Sequence, residues 1–226
     1  MPGLGGFEWV SPSSKKVTEE ESRRLRRLLK EFELAIQSPV GTSSLSGKHF
    51  NQLLDVQSWL AWHWLNEMSG NTDTYPGSAF LQLGKNGRIA AGPLWDLDHS
   101  LGCCITPPRS PRGWVGGWDP VRQTGDVGPW WAHLLAHQEF RREHRPYWRE
   151  KRKSVLRWED LEQLIDQVAA PLMRMGEDGE SAAERNFRRW PGVAPRGGSL
   201  RGEIRLLKDW LKTRLAWIDG QVEQAR

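Results

Sequence analysis

An Asn-Gly pair at Asn86-Gly87 stands between two apolar runs, Ala79-Phe-Leu-Gln-Leu83 and Arg88-Ile-Ala-Ala-Gly-Pro-Leu-Trp95. Gly84-Lys85-Asn86-Gly87 separate the runs, and an Asn-Gly pair in so short a connection is a strong hairpin signal. The chain therefore reverses there. Asn71-Thr-Asp73 precedes the first run, and Asp96-Leu-Asp98-His99 follows the second. An antiparallel return brings Asp73 and Asp96 to the same end of the hairpin. Carboxylates gathered in a cleft repel one another, and the usual remedies are a bound cation or a retained proton. The same residue types also build Asx turns and cap helices, so a purely structural role is the alternative.

The remainder reads as helical. Thr18-Glu-Glu-Glu21 is a capping-box signature, and Leu25, Leu28, Leu29, Phe32 and Ile36 share one face of the helix it opens. The arginines between them, Arg23, Arg24, Arg26 and Arg27, read as its solvated back. Asp55 is placed to cap a second helix carrying Val56, Trp59, Leu60, Trp64 and Met68. His63 on that helix reads as a hydrogen-bonded core residue, and Glu67, near its end, as a brace for the following loop. Residues 103–129 are rich in Pro and Gly, with Trp114 and Trp118 among them, and read as one long loop. Helices are then predicted over 130–137, 139–153 with Pro146 bending or splitting it, 159–175, 181–190 and 200–224. The last is given an apolar stripe of Ile204, Leu207, Leu211, Leu215 and Ile218. The fold class is α+β, mostly helical, with a small hairpin and a C-terminal helical bundle.

The chain has 226 residues, 38% of them hydrophobic and 14 of them Trp, enough for one domain over 1–226. A formal charge of +4 falls short of the basic stripe that a nucleic-acid binder carries, so no nucleic-acid partner is expected. Cys103 and Cys104 are adjacent and cannot staple distant segments. No run of about 18 apolar residues and no secretory leader is visible, so no membrane span is expected.

Asp55-Val-Gln-Ser-Trp-Leu, Asn66-Glu67 through Asp73, Phe80-Leu-Gln-Leu, and Gly92-Pro-Leu-Trp-Asp96-Leu-Asp98 with Leu101-Gly102 together resemble the spore-coat protein H (CotH) kinase family. Later segments share the likeness: Trp130-Trp131 with Glu139-Phe140-Arg141, Asn186-Phe187 with Trp190, and Glu203 through Arg214 to Asp219. The resemblance implies a protein-kinase-like fold, here a C-lobe whose nucleotide-covering N-lobe would lie upstream of Met1. It implies transfer of the ATP γ-phosphoryl group to Ser or Thr hydroxyls of proteins with magnesium or manganese. It also implies a secreted, cell-surface or spore-coat setting in a bacterium. Asp73 would be the catalytic aspartate and Asp96, with Asp98, the metal ligand. Ser78 stands where the family often has a metal-binding asparagine, and Asn71 and Glu67 would support the site. The nucleotide-binding residues are not identified. Two other readings stand beside this one. A noncatalytic remnant would act as a surface or coat interaction module, with the Trp-rich stretch 114–131 as its anchor. A metal-dependent hydrolase would use Asp73, Asp96 and His99.

Overall fold

The structure, a computed structural model, describes residues 8–75, 79–103, 109–115, 129–191 and 196–224. Thr18 opens α1 (Glu19–Gln37) with a reciprocal cap. Its hydroxyl accepts from the Glu21 amide at 3.2 Å, and the Glu21 carboxylate accepts from the Thr18 amide at 2.8 Å. Two amides of the first turn thereby gain partners, a contribution of about 1 kcal/mol. Leu29, Phe32, Ala35 and Ile36 face inward. Arg23 and Arg27 pair with Glu19 and Glu31 one turn away, which gives α1 the solvated outer face expected of it.

A short helix, α2 (Phe50–Leu53), follows and buries Phe50 and Leu53. It escapes sequence reading because four residues cannot show a period. Asp55 caps α3 (Val56–Ser69), its carboxylate accepting from the Ser58 amide at 3.3 Å. Trp59, Leu60, Trp62, His63, Trp64, Asn66 and Glu67 are all buried, so α3 is enclosed on most sides and is the axis of the molecule. Its Trp59 and Trp62 side joins the core formed with α1, α2 and the hairpin, and its Trp64 side joins a second core toward the C-terminus.

The hairpin consists of β1 (Leu81–Leu83) and β2 (Ile89–Ala91), antiparallel with Leu81 opposite Ala91 and Leu83 opposite Ile89. The predicted second strand ran on to Trp95. It stops early because Pro93 has no amide to donate, although the Gly92 amide still reaches the Phe80 carbonyl at 2.9 Å. The Ile89 carbonyl accepts from the Asp55 amide and from the Trp59 indole, each at 3.0 Å, and this pins the hairpin to the start of α3.

Five further helices complete the fold: α4 (Pro129–Ala136), α5 (Gln138–Lys153), α6 (Trp158–Ala169), α7 (Ala182–Arg189) and α8 (Leu200–Gln224). Pro146 does not split α5, which is one continuous helix. The helix predicted over 159–175 ends at Ala169 and tightens into a 3₁₀ turn, Ala170–Met173, that contains Pro171. The inward stripe of α8 begins later than predicted. Leu211, Leu215, Ile218 and Val222 are buried, Ile204 and Leu207 are only half-buried, and a charged residue, Arg214, is buried within the stripe.

The described tryptophans of the 103–131 stretch face inward. Trp131 is buried and stacks on Trp62 at 5.7 Å, Trp130 meets Phe32 at 5.1 Å, and Trp114 meets Trp217 edge-on at 4.8 Å. As exposed anchors for a partner protein they are ruled out by this packing, and Trp118 lies outside the described residues. The architecture is thus mostly helical with one two-stranded antiparallel sheet among the described residues, as the α+β reading held.

Candidate active site

Both acidic loops hang from the C-terminal end of α3. Asn66, buried in its last turns, donates to the Trp62 carbonyl at 2.8 Å and turns its amide oxygen outward. That oxygen accepts from the Asn71 side chain at 3.1 Å and the Thr74 hydroxyl at 2.6 Å. The Asn71 oxygen then accepts from the Asp73 amide at 3.3 Å, an Asx turn that fixes the backbone of the candidate catalytic residue. Every polar atom named here is satisfied by another, while the Asp73 carboxylate is left half-exposed.

The second loop is tied to the same place. The Leu101 amide donates to the Ser69 carbonyl at 2.6 Å, and the Ser100 amide and hydroxyl both bond the Leu97 carbonyl. Gly102, at φ +72°, lies against the Trp210 indole, and Gly70, which caps α3 at φ +67°, touches the same ring. Trp210 on α8 therefore wedges the two acidic loops from below. Asp96 holds a left-handed conformation at φ +61°, a region where Asp is tolerated better than most residues.

His99 lies between the two loops. Its Nδ1 is 3.9 Å from the Asp73 carboxylate and its Nε2 is 3.6 Å from the Asp98 carboxylate. The hairpin thus brings Asp73 and the Asp96–Asp98 loop to one side of the molecule, with Asp98 facing Asp73 across one imidazole. Asp96, Asp98 and His99 are exposed, and Ser78 lies outside the described residues. Among the described residues, no group of three or more His, Cys, Asp or Glu side chains is placed to hold a metal ion by itself. Asp96 and Asp98 are two exposed carboxylates on one loop. Mg²⁺ keeps several waters and takes one or two carboxylates plus substrate oxygens, whereas Zn²⁺ needs three or four protein ligands.

Glu67 is buried beneath these loops. Its carboxylate accepts from the Tyr75 hydroxyl at 3.1 Å, from the Val115 amide at 3.1 Å, and from the Arg214 guanidinium at 3.1 Å. It therefore braces both the segment after Asp73 and the distant loop at Val115. Because a carboxylate only accepts, the Tyr75 proton goes to Glu67, and the His63 Nδ1, 2.9 Å from the Tyr75 oxygen, is the protonated ring nitrogen. Burial, followed by the nearby Glu67 charge, pushes the Tyr75 hydroxyl well above its ordinary range and keeps it a donor. Sequence reading missed Asn66, Tyr75 and Arg214 as parts of this frame. The sequence marks Glu67 and Arg214 only as charges that each interrupt an otherwise apolar helix face, without pairing them.

Residues 8–218 match the family model described as CotH kinase protein. The chain belongs to the CotH kinase family. No curated protein matches it. The matched span of this CotH-family chain takes in both acidic loops, Glu67 and Arg214. Among the described residues, no helix is long and apolar enough to cross a membrane.

Proposed function

We propose that this CotH-family chain carries the hydroxyl-orienting and metal-holding side of a protein kinase site. Its helical body would be the kinase C-lobe. The observation that carries the reading is the placement of Asp73 and Asp98 on the two sides of His99, on loops anchored to one helix end. Phosphoryl transfer needs little covalent chemistry from the protein; it needs positioning and charge neutralisation. Asp73, half-exposed on a pinned turn, accepts a hydrogen bond from the attacking Ser or Thr hydroxyl and aims its oxygen. Asp98 and Asp96 hold the divalent cation that accompanies ATP. Bound Mg²⁺ or Mn²⁺ supplies neutralisation of the charge on the phosphate oxygens. Asn71 and Glu67 keep the Asp73 turn in place from below. Spore coat or cell surface is the setting that family membership favours, with a coat or surface protein as phosphoacceptor.

The test is calorimetric titration of Mn²⁺ with a nonhydrolysable ATP analogue into the 226-residue chain, beside transfer of labelled phosphate from ATP to protein. Binding that is lost in Asp96→Ala and Asp98→Ala, with transfer lost in Asp73→Asn while metal binding persists, is the expected result. Metal affinity unchanged in both alanine variants overturns the assignment.

A further inference from the structure

A groove of about 600 Å³ runs along one face of α8, far from the acidic loops in sequence, and nothing in the proposed chemistry uses it. Arg112, Lys212, Thr213, Trp217, Gln221 and Gln224 line it. Among the described residues, neither Arg112 nor Lys212 is paired with a carboxylate, although many other surface cations are: Arg152 with Asp219, Arg157 with Asp160, Arg185 with Asp178, and Lys208 with Glu162 and Asp166. Two cations left facing one groove attract an anion, and two positive groups held together without a counterion are themselves unfavourable.

The cations are placed by the fold. Arg214, buried, donates to the carbonyls of Pro111 and Gly113, the residues on either side of Arg112. The Trp210 indole donates to the Arg109 carbonyl at 2.8 Å. The short loop bearing Arg112 is therefore clamped to α8 at three carbonyls, and a clamped loop presents its side chain with less ordering entropy to lose on binding. Lys212 lies with its ammonium 5.2 Å from the Trp158 ring centre, a cation–π contact that holds it at the groove edge. The Thr213 hydroxyl donates to the Asp209 carbonyl, which leaves its oxygen as an acceptor. Trp217 forms a half-buried aromatic floor.

The shape favours an extended chain. From Lys212 to Gln224 the helix rises about 18 Å, the span of about five residues of extended peptide. Polarity varies along that length. Lys212 stands at one end of that length, and at the other the exposed side-chain amide of Gln224 supplies both a donor and an acceptor for a peptide backbone.

We infer that this groove docks an extended acidic peptide segment, with a carboxylate or phosphoserine side chain seated between Arg112 and Lys212 and the backbone running over Trp217 toward Gln224. Naming that segment as part of the phosphoacceptor protein rests on the kinase reading; the binding itself does not.

The experiment uses the 226-residue chain and three labelled octapeptides that differ only at a central residue: phosphoserine, glutamate or serine. Fluorescence anisotropy is expected to show binding of the first two and at least tenfold weaker binding of the third. Arg112→Gln and Lys212→Gln, both exposed positions, are each expected to weaken the anionic peptides roughly tenfold, the scale of one charge-assisted hydrogen bond. Stronger binding of phosphoserine than glutamate assigns the groove to phosphorylated segments, and equal binding assigns it to acidic ones. Asp73→Asn is expected to leave peptide affinity unchanged, so loss of transfer and loss of docking are told apart. Equal affinity for the serine peptide, no effect of either glutamine variant, or tighter binding of a single-stranded oligonucleotide overturns the proposal. So does inorganic phosphate displacing the peptides at concentrations near the peptide's own Kd, which marks an anion site rather than a peptide groove.

Discussion

The Arg214 guanidinium crosses from α8 to the Glu67 carboxylate on α3, Nη2 to Oε2 at 3.1 Å, with the two side chains 2% and 0% exposed. Such a pair is costly to bury, and its value lies in what else it satisfies. The same guanidinium also donates to the carbonyls of Glu67, Pro111 and Gly113, while the same carboxylate serves Tyr75 and Val115. Burial pulls the Arg214 guanidinium below its ordinary range, and the Glu67 charge opposes that pull.

Removing one partner alone strands a buried charge. Arg214→Met is expected to destabilise the fold by about 3–5 kcal/mol in urea unfolding. Arg214→Lys should recover little, since a compact ammonium cannot reach the acceptors a planar guanidinium spans. Adding Glu67→Gln to Arg214→Met should restore part of the loss, because the amide removes the bare charge and keeps one oxygen to accept from either Tyr75 or Val115, which bond different carboxylate oxygens. Strict additivity of the two substitutions contradicts the coupling.

Gly102 is required twice over. Its φ of +72° is a left-handed conformation that costs other residues energy, and a methyl group added there overlaps the Trp210 indole. Gly102→Ala is expected to lose about 2–4 kcal/mol of stability, the sum of strain and overpacking. Combination with Trp210→Leu should recover the overpacking share only. Gly87→Ala, also at positive φ but with nothing within 4 Å of the added atom, should show the smaller conformational cost by itself.

The hairpin, both N-caps at Thr18 and Asp55, and the C-terminal helices were legible in the sequence because each rests on local chemistry: a turn dipeptide, a side-chain oxygen three residues from an amide, a 3.6-residue period. What stayed hidden is long-range. The Glu67–Arg214 pair joins residues 147 positions apart, and nothing local predicts that a lone Arg in the α8 stripe will find a lone Glu in α3. The aromatic stretch around Trp114 and Trp131 misled for the same reason. Its composition fits an exposed anchor as well as a core lining, and only the arrival of Trp62, Trp64 and Trp217 decides between them. For the site, the sequence predicted Asp73 and Asp96 at one end of the hairpin, whereas it is Asp98 that the structure sets opposite Asp73 across His99, and nothing in the sequence showed that Asn66 and Ser69 would tether both loops.

Asn71 holds the Asp73 turn to α3 through one donated and one accepted bond. Asn71→Ala leaves the Asp73 amide without its acceptor and should cost about 1–3 kcal/mol. The sharper readout is local: amide hydrogen exchange across residues 71–75 should accelerate well beyond that of α5, which the substitution does not touch. Exchange that rises equally in both places indicates general destabilisation rather than a loosened turn.

Acid should unfold this protein through its core histidines. His63 and His144 are buried with ring centres 5.0 Å apart, and the His144 ring also stacks on Trp64. Burial lowers His63 to about 3, and burial, then the neighbouring His63 and Arg145, holds His144 well below its usual value. In the unfolded chain each takes up a proton near pH 6.5. Between that pH and the lowered native values the unfolded state binds more protons, so stability is present in full above about pH 7 and falls as the pH drops. The slope should approach 1.4 kcal/mol per pH unit for each histidine, measured by urea unfolding from pH 6.5 to 5, above the range where most carboxylates titrate. His144→Phe keeps the ring packing and removes one titrating group, so it should roughly halve that slope; an unchanged slope assigns the acid sensitivity elsewhere.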